Sequence, residues 1–518
     1  MVFPELPRQR FCAISAISGR LPVAWRCKAF GWEDNGCEEL AMDELIVSVS
    51  GVRGVVGSSL TAGVAREFGC AFARMLREKG DSPSFHKAEK GTVPFFASVT
   101  IARDTRPSGP ELRDALIDGL LAGGVSVIDL GVVSTPGAAL MTTRLDAAGG
   151  VVITASHNPG EYNGIKFLQP TGPALKAVDA ARLKEIWQAK DFKTAEAPAP
   201  STELGTSALS TNDRTHDEHV AAVCAITDVD AIRAKGFKVV VDSINGAGCA
   251  VTPMLLERLG VELLHLNGQP TGRFAHRPEP IAENLTALGE AVREAGADVG
   301  FAQDPDADRL VIVNERGEFL GEEYTLALAA AFVLAGRKGK VAVNMVTSRM
   351  IDDIAAAAGS EVVRAPTGEA NVVEAMQREG CILAGEGNGG VIDPRVVPVR
   401  DSLVAMAMVL QYMAQTGRAV SELAGAIPSY VMLKDKLPCP ADVAAKVIAA
   451  AKREFTETAD ARFDESDGLR VDLPDGWVSV RASNTEPIIR IMAEAPDAAR
   501  AQSLQDRLRR IAEQIVGT

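Results

Sequence analysis

Val151-Val-Ile-Thr-Ala-Ser-His-Asn-Pro-Gly-Glu-Tyr-Asn-Gly-Ile-Lys-Phe167 opens as an apolar run, the pattern of a buried strand, and breaks at Ser156. Asn158-Pro-Gly160 and Asn163-Gly164 are turn formers, and apolar residues resume at Ile165. A hydroxyl at the end of a core strand, in a tight polar loop with His157 beside it and Lys166 opening the next strand, suits a covalent group carrier. Taken alone, the stretch reads first as a polar strand-to-loop turn. Its strand–loop–strand rhythm recurs on both sides. From Ile46 onward short apolar strands alternate with amphipathic helices, which predicts an α/β chain of largely parallel sheets covered by helices.

The chain has 518 residues, enough for several domains, and its 47% hydrophobic and 24% charged content is that of a globular protein. No apolar run reaches the length of a membrane span. A formal net charge of -14 argues against nucleic acid or an anionic membrane as partner, so an anionic substrate needs a local basic cleft. The 8 cysteines show no metal-binding spacing, as expected of reduced thiols in a cytoplasmic protein, either monomer or homodimer. Residues 1–41 hold Cys12, Cys27, Cys37, Trp25 and Trp32 without periodicity, and read as a poorly ordered extension of the kind an upstream start codon would add.

Element order predicts four domains after that extension. Residues 42–205 form a first α/β domain. Val47 to Val56 reads as a strand interrupted by Gly51-Val-Arg-Gly54, a loop that projects Arg53. Ser108-Gly-Pro-Glu111 has the spacing of a capping box, and Asp191 to Asp213 reads as a linker. Residues 206–303 and 304–425 repeat the α/β rhythm, an internal repeat seen in element order and not in identity. Residues 426–518 read as an α+β tail domain.

Gln303-Asp-Pro-Asp-Ala-Asp-Arg-Leu310 spaces Asp304, Asp306 and Asp308 by two, so an extended segment would aim three hard oxygen ligands at one point, which favours Mg²⁺. An EF-hand is the rival, with Glu315 at the twelfth position; it fails because Arg309 stands where that loop requires glycine. Gly385-Glu-Gly-Asn-Gly-Gly390 formally matches a dinucleotide fingerprint. Val391-Ile-Asp-Pro-Arg-Val-Val-Pro398 follows it, and those prolines do not open the helix that a pyrophosphate site needs. Val480-Arg-Ala-Ser-Asn-Thr-Glu-Pro-Ile-Ile-Arg490 is a loop between apolar strands, dense in donors, that would cradle a phosphate.

These stretches, in this order, resemble the α-D-phosphohexomutases, and the resemblance covers almost everything after Met42. It implies a four-domain architecture: three similar mixed α/β domains and a C-terminal α+β phosphate-binding domain. It also implies an isomerase that moves phosphate between O6 and O1 of a hexose through a phosphoserine and a hexose 1,6-bisphosphate, with Mg²⁺ as cofactor. Ser156 would be the phosphoserine and a metal ligand with Asp304, Asp306 and Asp308. Arg53 falls at the family's active-site arginine. Glu386 would accept hydrogen bonds from hexose hydroxyls, with Asn388 beside it, and Arg481, Ser483, Asn484, Thr485 and Arg490 would hold the non-transferred phosphate. Lys166 and Arg53 are the candidates for proton transfer, Lys166 first because a guanidinium is hard to deprotonate; His157 would orient the phosphoserine.

Many relatives have serine and histidine where this chain has Asn388 and Gly390. That variant resembles the phosphoglucosamine mutase branch more than the phosphomannomutase one, and Glu386 could meet an ammonium at C2. The expected substrates are therefore glucosamine phosphate first, then mannose or glucose phosphate. The rivals are a catalytically silent sugar-phosphate-binding protein and a serine phosphatase with the same nucleophile and metal.

Overall fold

The computed structural model describes residues 44–80, 97–192, 208–483 and 487–517. The expected extension 1–41, the polar insertion 81–93, most of the linker, and Asn484 and Thr485 of the phosphate loop lie outside the described residues. No described helix is long and apolar enough to cross a membrane.

Among the described residues twenty strands form four sheets. The first holds β1 (Ile46–Ser48), β2 (Gly51–Val55), β3 (Ser98–Arg103), β4 (Ser126–Val132), β5 (Gly149–Ile153), β6 (Tyr162–Leu168) and β7 (Leu209–Thr211) in the order β1-β2-β6-β5-β3-β4-β7. The second holds β8 (Lys238–Asp242), β9 (Glu262–Leu266), β10 (Val299–Gln303) and β11 (Leu310–Asn314) in the order β11-β10-β8-β9. The third holds β12 (Val341–Asn344), β13 (Val362–Ala365), β14 (Leu383–Glu386) and β15 (Gly390–Ile392) in the order β13-β12-β14-β15. The fourth is antiparallel throughout: β16 (Val431–Pro438), β20 (Ile488–Ala495), β19 (Gly476–Ala482), β18 (Leu469–Leu473) and β17 (Arg462–Asp464).

The predicted repeat is visible as topology. β3 to β6, β8 to β11 and β12 to β15 trace one path: three parallel strands joined by crossovers, then a fourth strand that returns antiparallel beside the third. β5, β10 and β11 are buried along their whole length because helices cover both faces, hence their continuous apolar sequence. The hairpin between third and fourth strands holds Ser156 in the first copy, the three aspartates in the second, and the glycine-rich loop in the third. A shared core through Val152, Phe301, Leu326, Val343 and Leu403 joins the three copies.

Four local expectations need correction. The boundary at 303/304 cuts between β10 and β11, which pair from Val299 opposite Asn314 to Gln303 opposite Leu310, so the aspartate loop belongs to the second sheet and not to the start of the third domain. Arg53 is in the middle of β2, opposite Gly164 of β6, and not in a loop; the turn falls earlier, with Gly51 at φ 105°. Ser108 has helical backbone angles and makes no cap; its hydroxyl accepts from Asn163 Nδ2 at 2.9 Å. The end of the expected linker is β7, an edge strand on β4.

Candidate active site

Ser156 follows β5 in the left-handed region, at φ 49°, a conformation that is strained for any residue with a Cβ. A buried network holds it there. Its N–H donates to Thr154 Oγ1 at 2.9 Å, and Thr154 Oγ1 donates to Asp104 Oδ2 at 2.7 Å. Arg106, fully buried, pairs with Asp104 and donates to the carbonyls of Ser156, Asn158, Pro159 and Tyr162 at 2.7, 2.6, 2.6 and 2.8 Å. One guanidinium thus saturates the carbonyls of a turn that has no ladder of its own.

The hydroxyl of Ser156 donates to Asp304 Oδ2 at 2.6 Å, across two sheets and 148 residues of sequence. Oxygens of Asp304, Asp306 and Asp308 lie within 4.8 Å of one another, and all three residues are buried. They converge through a turn, with Ala307 at φ 55° and the N–H groups of Asp308 and Arg309 on Asp304 Oδ1, both at 3.1 Å; the segment is not extended as expected. Crowding shows in the acidities. Burial, Asp308 and Asp306 push Asp304 well above the usual carboxylate range. Asp306 is held below that range, because Lys166 and Thr135 outweigh the upward effect of burial. Glu315, the twelfth residue of the rival EF-hand reading, accepts from Ser421 instead, away from this cluster.

The cluster fits a divalent cation. Oδ1 of both Asp306 and Asp308 is buried without a hydrogen-bond partner, so two anionic oxygens are left over for a ligand. Cations surround it. Lys166 Nζ reaches Asp306 at 2.7 Å and Asp308 at 3.6 Å; burial lowers its pKa, yet those aspartates raise it on balance. Arg53 donates to Asn158 Oδ1 at 3.2 Å, and burial followed by Arg309 lowers its pKa. Arg309 Nε is buried without a hydrogen-bond partner and faces Asp308 Oδ1 at 3.9 Å. His157 Nδ1 is 3.4 Å from Ser156 Oγ; burial, then Arg309, Arg53 and Arg400, lower its pKa to about 2, so the ring is neutral. A chain of net charge -14 thus concentrates guanidinium and ammonium groups at one serine.

On the third sheet Glu386 ends β14, and its Oε1 accepts from Asn344 at 2.9 Å. Asn388 Oδ1 in the same loop is buried without a partner. In the fourth sheet Arg481 and Arg490 are direct cross-strand partners, a pairing of like charges that an anion would relieve. Arg481 Nε is buried without a hydrogen-bond partner; burial lowers its pKa, Asp467 opposes that, Arg490 adds to it and Glu386 opposes it least. Ser483 closes the hairpin by donating its N–H to Ile488 O at 2.9 Å.

Several residues of this arrangement were not singled out from sequence. Arg106 and Asp104 organise the serine turn. Thr135 donates to Asp306 Oδ2 at 2.7 Å, and its N–H to the Asp306 carbonyl at 3.0 Å. Arg400 reaches Asp308 at 2.7 Å and Glu386 at 2.8 Å. A weak signal existed for the last: Arg400-Asp401-Ser402 begins a helix, with the Asp401 side chain capping Leu403 and Val404.

A polar serine facing a carboxylate triad, ringed by cations and built from three copies of one α/β unit, defines a phosphoryl-transfer protein of multidomain type. Comparison with known families gives the same class. Phosphoglucomutase/phosphomannomutase α/β/α domains I, II and III match residues 45–194, 216–317 and 321–430, and the C-terminal domain matches residues 435–511. The chain belongs to the α-D-phosphohexomutase family. It is 39% identical over 454 residues to "Phosphoglucomutase/phosphomannomutase" of Thermococcus kodakarensis, covering 87% of this chain and 95% of the relative. It is 38% identical over 474 residues to "Probable phosphoglucosamine mutase" of Methanopyrus kandleri, covering 90% and 98%. Among solved structures, a phosphoglucomutase/phosphomannomutase family protein of Burkholderia thailandensis superposes with TM-score 0.77 at 29% identity, covering 91% of this chain and 97% of the other.

Proposed function

We propose that this phosphohexomutase works through a phosphoserine at Ser156. The observation that carries the reading is the 2.6 Å contact between the Ser156 hydroxyl and Asp304 at the head of the buried triad. The free hydroxyl of a hexose monophosphate attacks the phosphorus of phosphoserine; the new P–O bond to the sugar forms as the P–O bond to Ser156 breaks, and the hydroxyl proton passes to a base. The resulting 1,6-bisphosphate turns over, and its other phosphate returns to Ser156. Asp304, Asp306, Asp308 and the serine oxygen would hold Mg²⁺, which supplies charge neutralisation for the transferring phosphoryl group.

The chain's own residues support the rest. Arg106 fixes the serine turn, Arg309 and Lys166 offset phosphoryl charge, and neutral His157 orients the seryl group. Lys166, the first candidate for the proton from sequence, is held as an ammonium by Asp306 and Asp308 and cannot accept it, so Arg53, whose pKa burial lowers, becomes the candidate base. Arg481, Ser483, Asn484, Thr485 and Arg490 hold whichever phosphate is not being transferred, so one cradle serves both orientations of the sugar. Glucosamine phosphate stands first among the substrates, with glucose and mannose phosphates beside it; the relatives' names span both groups. The test is a panel of hexose 6-phosphates followed by phosphorus NMR, with and without hexose 1,6-bisphosphate. Interconversion of 6- and 1-phosphates stimulated by the bisphosphate is expected. Release of inorganic phosphate would make the protein a phosphatase, and binding without turnover would make it a silent sugar-phosphate receptor.

A further inference from the structure

Glu386 and Gly390 are direct partners across the β14–β15 hairpin, so a side chain at 390 would stand beside the Glu386 carboxylate. Another side chain already fills that space. A Cβ built on Gly390 would fall 2.2 Å from Cδ and 2.8 Å from Cγ of Arg400, so the glycine is what admits the arginine stem. The guanidinium then places Nη1 on Glu386 Oε2 at 2.8 Å and Nη2 on Asp308 Oδ2 at 2.7 Å. Glu369 holds it from behind, accepting the Arg400 N–H at 3.0 Å and facing Nη2 at 3.4 Å. Asp401, the next residue, is fixed as a helix cap and by His219 at 2.7 Å, so the arginine's backbone has little freedom.

This changes what a sugar meets at Glu386. A carboxylate with a buried guanidinium on one oxygen and an amide on the other is an acceptor of hydrogen bonds whose negative charge is offset in part, since the same guanidinium also serves Asp308 and Glu369. A sugar hydroxyl can donate to its remaining lone pairs. An ammonium gains the attraction of Glu386 and loses much of it to repulsion from Arg400 close behind. Two buried polar atoms near the same spot have no partner: Arg400 Nε, and Asn388 Oδ1, which is 3.3 Å from the Gly390 Cβ position. One is a donor and the other an acceptor, which suits hydroxyls.

We propose that Arg400 is the specificity-determining residue of the sugar loop: by pairing with Glu386 and offsetting part of its charge it makes the site read hexose phosphates mainly through hydrogen bonds, so that amino and neutral hexoses are both taken. The proposal rests on the phosphohexomutase reading. Its test is the ratio of kcat/KM for glucosamine 6-phosphate to that for glucose 6-phosphate at neutral pH, in the wild type, Arg400→Met, Arg400→Lys and Gly390→Ala. The wild-type ratio should lie within about tenfold of one, and Arg400→Met should raise it by about tenfold, mostly through KM, because a bare carboxylate then faces the ammonium. Arg400→Lys should keep the wild-type ratio, and Gly390→Ala, whose methyl displaces the arginine stem, should move it the same way as the Met variant.

An unchanged ratio in both Arg400→Met and Gly390→Ala overturns the proposal, as does a wild-type preference of more than about a hundredfold for either sugar. If the Met variant fails to fold, as a thermal melt would show, Gly390→Ala decides alone. Calorimetric affinities for the two sugar phosphates give the same ratio without turnover. A protein that shows the binding ratio but no interconversion therefore refutes the mutase reading and not the role of Arg400.

Discussion

The turn that carries Ser156 and the hairpin of the phosphate loop differ in how their own polar atoms are satisfied. At Ser156 nearly every polar atom has a fixed partner: Arg106 holds four carbonyls, Thr154 holds the serine N–H, and Asp304 holds the hydroxyl. The hairpin from Arg481 to Arg490 opposes two arginines across its strands and leaves Arg481 Nε buried and unpaired. On the proposed mechanism the first serves bond making, where a small displacement costs rate. The second leaves Arg481 Nε without a hydrogen-bond partner among the described residues, which on the same mechanism the phosphate that is not transferred would supply.

That contrast makes ordered predictions. Ser156→Ala should have the largest effect, a loss of at least about a thousandfold in kcat with the fold retained, because on the proposed mechanism this serine carries the phosphoryl group; intact mass should show one phosphate on the wild type and none on the variant. Retained turnover in the alanine variant would erase the distinction between turn and hairpin. Next comes Asp306→Asn, which removes a charge from the triad and should lower kcat roughly a hundredfold while the sugar-phosphate Kd, read by calorimetry, changes little. Equal losses in kcat and affinity would mean that the aspartates serve binding and not transfer.

Arg481→Ala should act in the reverse sense, raising KM about tenfold with kcat within a few-fold, since it removes a phosphate contact made alike in ground and transition states. A kcat defect without a KM change would sink that reading of Arg481. The smallest effect is expected at Glu323, whose carboxyl lies against Gly387 of the sugar loop and accepts the Ser348 N–H at 3.0 Å. Burial pushes its pKa up to about 8; Ser348 and Lys434 oppose the shift, and Glu494 and Glu322 add to it. The folded state therefore holds this proton more tightly than the unfolded chain. Its contribution to stability is full below the ordinary carboxylate pKa, declines as pH rises toward about 8, and is level beyond. Glu323→Gln should flatten the fall of Tm across that range by a degree or so; an unchanged profile would show that the carboxyl ionises freely.

Much of the site could be read from sequence because its chemistry is packed into short contiguous loops. Ser156, the three aspartates, Glu386 and Arg481 each stand where a strand stops at a polar run, and the resemblance to the family singles out Ser156 and Glu386 among them. The partners that hold them do not. Arg400 meets Asp308 across 92 residues of sequence, Thr135 meets Asp306 across 171, and Arg106 reaches the serine turn across 50. A single arginine or threonine at a helix start looks like any other until the chain is folded. The same limit explains the misplaced domain boundary: the aspartate run looked like the start of a new unit, and only the pairing of β10 with β11 shows it as the hairpin of the second copy.

By itself, the sequence determined the α/β repeat, the order of the four loops and the donor- and carboxylate-rich residue types in them. Those properties follow from local patterning, apolar period and turn chemistry, which act over a few residues, whereas the roles expected of the loops follow from resemblance to the family. Only the tertiary structure decided that the hairpin between the third and fourth strands of each copy faces the same centre, that Arg53 projects from a strand, and that Glu386 is paired with an arginine occupying the space a side chain at Gly390 would fill. Charge balance in a buried site is a property of groups brought together from distant positions, and no pattern along the chain records it.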